Sequence, residues 1–219
     1  MTDLFEEKAK EWDMNELVLN LSAAVGAAIR EQIELNESMH VMDFGAGTGL
    51  VTTQIAEQVG KVTAVDVSAS MLDQLVAKEH LKLKVDAVCQ DILEIPLDTR
   101  FDLIVSAMAM HHVEDTDALV QGFADHLKPG ARVALADLDA EDGTFHPADT
   151  EGVFHHGFDR GAFQSILESK GFSEVNFVTA HTVNKEGRPY TIFLVTAMTP
   201  LGWIAKDVGV RDHFLLRRK

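Results

Sequence analysis

From His40 onward the chain alternates short apolar runs with longer amphipathic stretches, and this pattern limits the available folds more than any other feature of the sequence. Strands are predicted at His40–Phe44, Lys61–Val65, Lys84–Cys89, Phe101–Ser106 and Arg132–Leu138. Helices are predicted between them at Leu50–Val59, Ser70–Lys78 and Asp115–His126. Such alternation builds βαβ units, hence a parallel sheet covered by helices on both faces. Ligands of sheets of this kind sit at the carboxyl ends of the strands. A helix over Arg160–Lys170, stopped at Gly171, precedes two further strands at Glu174–Thr182 and Tyr190–Thr196. The turn joining these two, Asn184–Gly187, is too short for a parallel crossover, so one strand near the end of the sheet must be reversed. Ahead of the sheet, residues 4–33 carry Phe5, Ala9, Trp12, Leu17, Leu21, Val25 and Ile29 at helical spacing and read as helix.

Charge and composition exclude several functions. With 219 residues and a formal charge of −16, the chain suits one domain that does not bind nucleic acid, because its dense basic run is only Arg217-Arg218-Lys219. The single cysteine, Cys89, can form neither an internal disulfide nor a thiolate metal site by itself. A charged N-terminus without an apolar signal region, and the lack of a run of ~18 apolar residues, lead to the expectation of a cytoplasmic protein with no membrane attachment. A homodimer is left open.

The densest chemical signal is Asp43-Phe44-Gly45-Ala46-Gly47-Thr48-Gly49, a strand running into alternating glycines and then a helix. Glycines here permit positive φ and close approach of a ligand to the backbone, beside the donor-rich start of a helix. The G-x-G-x-x-G register of a dinucleotide site is not met, because Leu50 stands where its third glycine belongs; a nicotinamide-dependent oxidoreductase is thereby disfavoured. No Gly-Lys-Ser/Thr follows, so a P-loop is excluded as well. Asp43 can either accept from a ligand amine or organise the loop. Asp66 ends the next strand, where a carboxylate can accept from both hydroxyls of a ribose. Asp91 ends the third strand, in a position suited to an adenine amino group or to a turn.

These segments, with Phe101–Ala107 and Lys128-Pro129-Gly130, resemble in order and spacing the class I S-adenosylmethionine-dependent methyltransferases. The resemblance covers residues 40–138 and implies an α/β fold. That fold is a Rossmann-like, doubly wound seven-stranded sheet of order 3-2-1-4-5-7-6 with strand 7 antiparallel, plus an N-terminal helical lid. It implies S-adenosylmethionine as cofactor and S-adenosylhomocysteine as product. The cofactor would be held by Asp43, Gly45, Ala46, Gly47, Thr48, Gly49, Asp66, Val67, Ser68, Met71, Asp91, Ile92 and Ala107. Residues 1–35 would form the lid region, with Trp12 covering the site, and 36–198 the cofactor-binding domain; 199–219 is a tail without assigned role. After strand four the sequence reads Ser106-Ala107-Met108-Ala109-Met110, without the Asn/Asp-Pro-Pro-Tyr/Phe motif of the family's amide and nucleic-acid methylating members. A small-molecule acceptor is therefore expected.

The segment 139–159 breaks the alternation and reads as a cap whose Phe154 and Phe158, with Met108, would shape the acceptor pocket. Histidines supply candidate general bases: His111 and His112 after strand four, His155 and His156 in the cap. Adjacent histidines point in different directions and no metal-ligand spacing is present, so no metal is expected. In-line methyl transfer needs alignment above all and can proceed without a base. A cofactor-binding protein without catalysis, acting as a regulator or as a subunit that needs a partner, is the competing reading.

Overall fold

The computed structural model describes residues 3–203; the basic run at 217–219 and most of the tail lie outside them. Seven strands form one sheet: β1 (His40–Phe44), β2 (Lys61–Asp66), β3 (Val85–Cys89), β4 (Phe101–Ala107), β5 (Leu127–Leu138), β6 (Ser173–Lys185) and β7 (Arg188–Met198). Their order is β3-β2-β1-β4-β5-β7-β6, parallel except that β7 runs antiparallel to both β5 and β6. Helices α1 (Glu16–Gln32), α2 (Leu50–Ile55), α3 (Ala69–Val76), α4 (Thr116–Asp125) and α5 (Arg160–Ser169) complete the fold. Strand order reverses between β1 and β4, and the glycine loop leaves β1 at that point.

Alternation along the strands sorts the core into two layers. Val41, Val62, Leu103, Val105, Ala134 and Leu194 face α1, α2 and α3. Met42, Ile104, Val133, Leu135, Phe193 and Val195 face α4 and α5. Residues on either side of a pleat thus serve different cores, as a sheet covered on both faces requires. The β6–β7 hairpin is longer than its apolar pattern predicts because its turn is tighter: Glu186 (φ 54°) and Gly187 (φ 80°) both adopt positive φ, the two-residue geometry that matches strand twist. Strand β5 begins early, at Leu127, through a bulge opposite Phe101–Leu103 where Gly130 takes φ 73°.

The N-terminal helix predicted over 4–33 is only half formed. Residues 4–11 are turns, Trp12–Met14 is one 3-10 turn, and α1 begins at Glu16. Two local bonds account for the break. Asn15 caps α1 by accepting from the Leu17 N–H (3.0 Å), and Asp3 accepts from the Phe5 N–H (3.0 Å). Side chains of this type bind nearby amides and so compete with helix propagation. Helix α2 is likewise shorter than its pattern, passing into a 3-10 turn at Ala56–Gln58. Among the described residues no helix is long and apolar enough to cross a membrane.

Phe193 lies fully buried on β7, with its ring 5.4 Å from that of Phe177 and 6.0 Å from that of Phe163. Phe193→Ala is expected to lower unfolding free energy by about 3–5 kcal/mol, the usual cost of an aromatic-sized cavity, measured by urea denaturation.

Candidate functional site

The glycine loop is held to β2 by its backbone. The N–H groups of Gly45 and Ala46 both donate to the Val65 carbonyl (2.8 and 3.1 Å), and the Gly47 N–H donates to Asp66 Oδ2 (2.7 Å). Asp66 Oδ1 accepts from the Ser68 N–H (2.8 Å), while the Ser68 hydroxyl caps α3 by accepting from the Met71 N–H. Burial pushes the Asp66 carboxyl up despite these donors. A carboxylate has about four lone-pair sites, so two remain for hydroxyl donors.

The three glycines have different physical roles. A Cβ on Gly45 would lie 2.2 Å from the Ala109 Cβ, and one on Gly49 2.7 Å from Leu75 Cγ; both are fixed by packing. Gly47 has φ 54° and nothing within 4 Å of where its Cβ would be. That open space beside the Asp66 carboxylate, at the mouth of the sheet, fits a nucleoside held by its ribose.

Three expected cofactor contacts turn inward. Asp43 is 1% exposed and accepts from the Thr52 hydroxyl of α2, so it organises the loop from beneath. Burial pushes its pKa up to about 7. Met71 and Ile92 have buried side chains, leaving backbone contact only. Asp91 accepts from the Leu93 N–H (2.8 Å) and serves a turn, as its position alone suggests. Val67 is exposed at the rim, and Ala107 ends β4 beside Met108, which takes the sparsely populated φ of 57°.

The N-terminal segment closes over this mouth through two acids that sequence reading left without a role. Asp3 accepts from the Ser68 and Ser70 hydroxyls (3.0 and 2.7 Å) and from the Ser70 N–H (3.1 Å). Burial works against its ionisation, but the donors from Ser70, Ser68 and Phe5 outweigh it and hold the pKa at about 2. Asp13 accepts from the Thr48 hydroxyl (2.5 Å) and pairs with Lys78 (2.6 Å). Between these anchors, Phe5 meets Trp12 edge-on at 6.1 Å and His112 at 5.7 Å. Trp12 therefore lies in a segment packed over the glycine loop, although not on a continuous helix.

The cap is closed at its base by a bridge between Asp139 and Phe158 and by a two-pronged contact of Arg160 with Asp139 (2.7 and 2.8 Å). It docks on the β4 loop, where the N–H groups of Phe154 and His155 donate to the His111 carbonyl (3.0 and 3.2 Å). Its histidines do not fall where the sequence suggests. The His155 ring bonds the Val113 carbonyl (2.9 Å) and the Thr116 hydroxyl (3.2 Å), tying down the chain before α4. His156 is exposed beside Glu141. Phe158 is buried in the α4–α5 core against Phe163, while Phe154 is half exposed. The histidine brought inward is His146. Its Nε2 lies 3.1 Å from His111 Nε2, and His111 Nδ1 lies 2.7 Å from Asp137 Oδ1. The signal for this cluster was Asp137 itself, an acid in the apolar run Val133–Leu138 that cannot be buried without a donor. Burial, followed by the neighbouring His111, lowers both His112 and His146 to about 4, so both rings are neutral at pH 7. Among the described residues no group of three or more His, Cys, Asp or Glu side chains is placed to hold a metal.

Comparison with known proteins agrees with this geometry. Residues 41–130 match the family described as Methyltransferase domain. A cypemycin N-terminal methyltransferase from a Streptomyces species is 31% identical over 204 residues, covering 90% of this chain and 77% of that protein. The chain belongs to the class I S-adenosylmethionine-dependent methyltransferases. A ubiquinone biosynthesis O-methyltransferase of Coxiella burnetii is 35% identical over 114 residues, covering 50% of this methyltransferase and 47% of that one, so the match spans about half the relative's length. The crystal structure of a SAM-dependent methyltransferase from Aquifex aeolicus superposes with a TM-score of 0.66 at 26% identity, covering 90% of this chain and 99% of that one.

Two outcomes follow from the loop. Asp66→Ala is expected to weaken S-adenosylhomocysteine binding by on the order of 1.5–3 kcal/mol, read by calorimetry, since two hydroxyl acceptors and the grip on Gly47 are lost together. Asp43 titrates at about 7 in the fold against an ordinary 3.8, so its ionisation costs stability increasingly from pH 4 upward and fully above pH 7. Asp43→Asn is therefore expected to stabilise the protein at pH 8 by on the order of 2 kcal/mol while changing little at pH 4, measured by thermal unfolding at both pH values.

Proposed function

We propose that this chain transfers the methyl group of S-adenosylmethionine to a small-molecule acceptor bound where the lid meets the cap. One observation carries the reading: an open cradle, formed by Gly47 and the Asp66 carboxylate, lies at the switch point of a methyltransferase sheet. Asp66 would accept from the ribose hydroxyls, with Gly47, Thr48, Val67 and Ser68 around it. The Asp91–Ile92 backbone would flank the adenine, and Ala107 and Met108 the methyl-bearing end. When bound, S-adenosylmethionine supplies an activated methyl group on sulfur for in-line displacement by the acceptor. The chain contributes alignment and exclusion of water, through the lid anchors Asp3 and Asp13 and the aromatic pair Phe5–Trp12.

A groove of about 330 Å³ between lid and cap, lined by Leu4, Lys8, Pro147, Asp149, Thr150 and Glu151, is of a size for a small acceptor. The net charge of −16 argues against a nucleic-acid substrate, and the composition agrees with a cytoplasmic setting. The Streptomyces relative, named for an N-terminal methylation, favours a chain N-terminus as the second acceptor class.

Incubation with methyl-labelled S-adenosylmethionine and phenol, thiophenol, benzylamine or a tripeptide would test this. Label is expected in at least one small acceptor, at a rate unchanged by EDTA. Transfer to the tripeptide alone would favour the second reading. Tight S-adenosylhomocysteine binding with no labelled product, from these probes or from a metabolite extract, would instead identify a binding protein without catalysis.

A further inference from the structure

Three side chains from three separate segments form a continuous hydrogen-bonded line at the mouth of the sheet. Asp137, near the end of β5, is fully buried and accepts from the Leu138 N–H (2.8 Å), the His111 N–H (3.2 Å) and His111 Nδ1 (2.7 Å). Two of these partners are backbone N–H groups, which can only donate, so the carboxylate acts as an acceptor and the tautomer of His111 that fits it carries its ring hydrogen on Nδ1. His111 is itself 1% exposed. Its Nε2 then holds a lone pair, and the 3.1 Å contact to His146 requires that His146 Nε2 carry the hydrogen. The remaining nitrogen of His146, Nδ1, therefore presents a lone pair and has no partner among the described residues. The ring sits 5.9 Å from that of His112, which is itself capped by Phe5 of the lid. Ala109, two residues before His111, packs against Gly45, so the line adjoins the glycine loop.

We propose that His146 is the general base of this enzyme, with His111 and Asp137 as a relay behind it, and that the acceptor is a hydroxyl compound. This rests on the methyl-transfer reading above. The acceptor O–H bond breaks, its electron pair stays on the oxygen that takes the methyl group, and the proton moves to His146 Nδ1. The hydrogen on His146 Nε2 passes to His111 Nε2 in the same movement. His146 ends neutral in its other tautomer, and the positive charge settles on His111 against Asp137. The relay resolves a difficulty with His146 acting alone. Burial, His111, His112 and Lys185 all oppose a charge on its ring, and only Asp137 favours one. Lys8 of the lid acts on His112 in the same unfavourable sense. Moving the charge one ring inward places it beside the one acid of the cluster. His112 has no such path: its Nδ1 is held by the Gly152 carbonyl at 2.7 Å, and no acid lies behind it. A hydroxyl gains more from this device than a thiol, whose pKa of about 8.5 already leaves a fraction of it ionised near neutrality.

Ring-nitrogen NMR of the full chain saturated with S-adenosylhomocysteine tests the line without any acceptor. Hydrogen is expected on His111 Nδ1 and on His146 Nε2, with a coupling between the two Nε2 atoms that disappears in His146→Ala. Hydrogen on His111 Nε2, or no coupling in the wild type, overturns the relay. The kinetic arm compares phenol with thiophenol, which is ionised at neutral pH and has nearly the same shape. His146→Ala is expected to lower kcat for phenol about 100-fold or more, to recover with added imidazole, and to leave thiophenol methylation and S-adenosylhomocysteine affinity within about threefold. Asp137→Asn is expected to lower kcat for phenol without raising KM and to move the acid limb of its pH profile to lower pH, because the cation on His111 loses its counter-charge. Equal loss with both acceptors overturns a base role for His146 while leaving methyl transfer intact. If the wild type methylates neither probe, the hydroxyl-acceptor assignment falls and the spectrum alone decides the relay.

Discussion

The Val65 carbonyl, accepting from Gly45 and Ala46 together, is the contact on which the rest of this site depends. It bends the chain leaving β1 across the end of β2, and at Gly45 only a residue without a Cβ can take the positive φ and lie so close to Ala109. Once the loop is down, Ala109 can seat on Gly45 and Leu75 on Gly49, so the β4 loop and α3 are positioned by the same turn. Asp43, buried below, fixes α2 to the loop through Thr52. The mouth of the sheet is thus a single packed unit, and the polar groups that face outward from it inherit its rigidity.

Around that unit the lid and the cap are attached by unlike means. The cap is closed on itself through Asp139 and Arg160, hung from the His111 carbonyl and braced on β6 and β7 by Lys185 and Tyr190. Its residues are therefore ordered even though it has no regular secondary structure. This ordering allows a loop histidine, His146, to meet a buried strand acid through His111.

The alternation of strands and helices, the reversal near the end of the sheet and the loop with its acid at Asp66 were all legible in the residues, whereas the order of the strands came from the family resemblance. They depend on local alternation, on glycine and on turn length, each readable within a short window. Of the cluster at Asp137 only the acid in its apolar strand was a signal; its partners were not legible, because the bonded pairs lie 26 and 35 positions apart across a segment without periodicity. The histidine pair at 155–156 was conspicuous in sequence, yet one ring is spent on the Val113 carbonyl and the other faces solvent. Composition draws attention to His155 and His156; only tertiary contact singles out His146. The N-terminal segment misled in the opposite way. Its helical spacing of Phe5, Ala9 and Trp12 is real, but Asp3 and Asn15 divert the backbone at either end.

The two lid anchors differ in how they respond to the solution. Asp3 is gripped by short neutral donors from Ser68 and Ser70, contacts that dissolved ions barely weaken. Asp13 is held in part by the Lys78 ammonium, a partly exposed pair whose attraction shrinks as the Debye length falls. Rising ionic strength therefore loosens the Trp12 end of the segment before the Asp3 end. How tightly the Trp12 end of the segment packs on the glycine loop thus becomes a property that salt can tune.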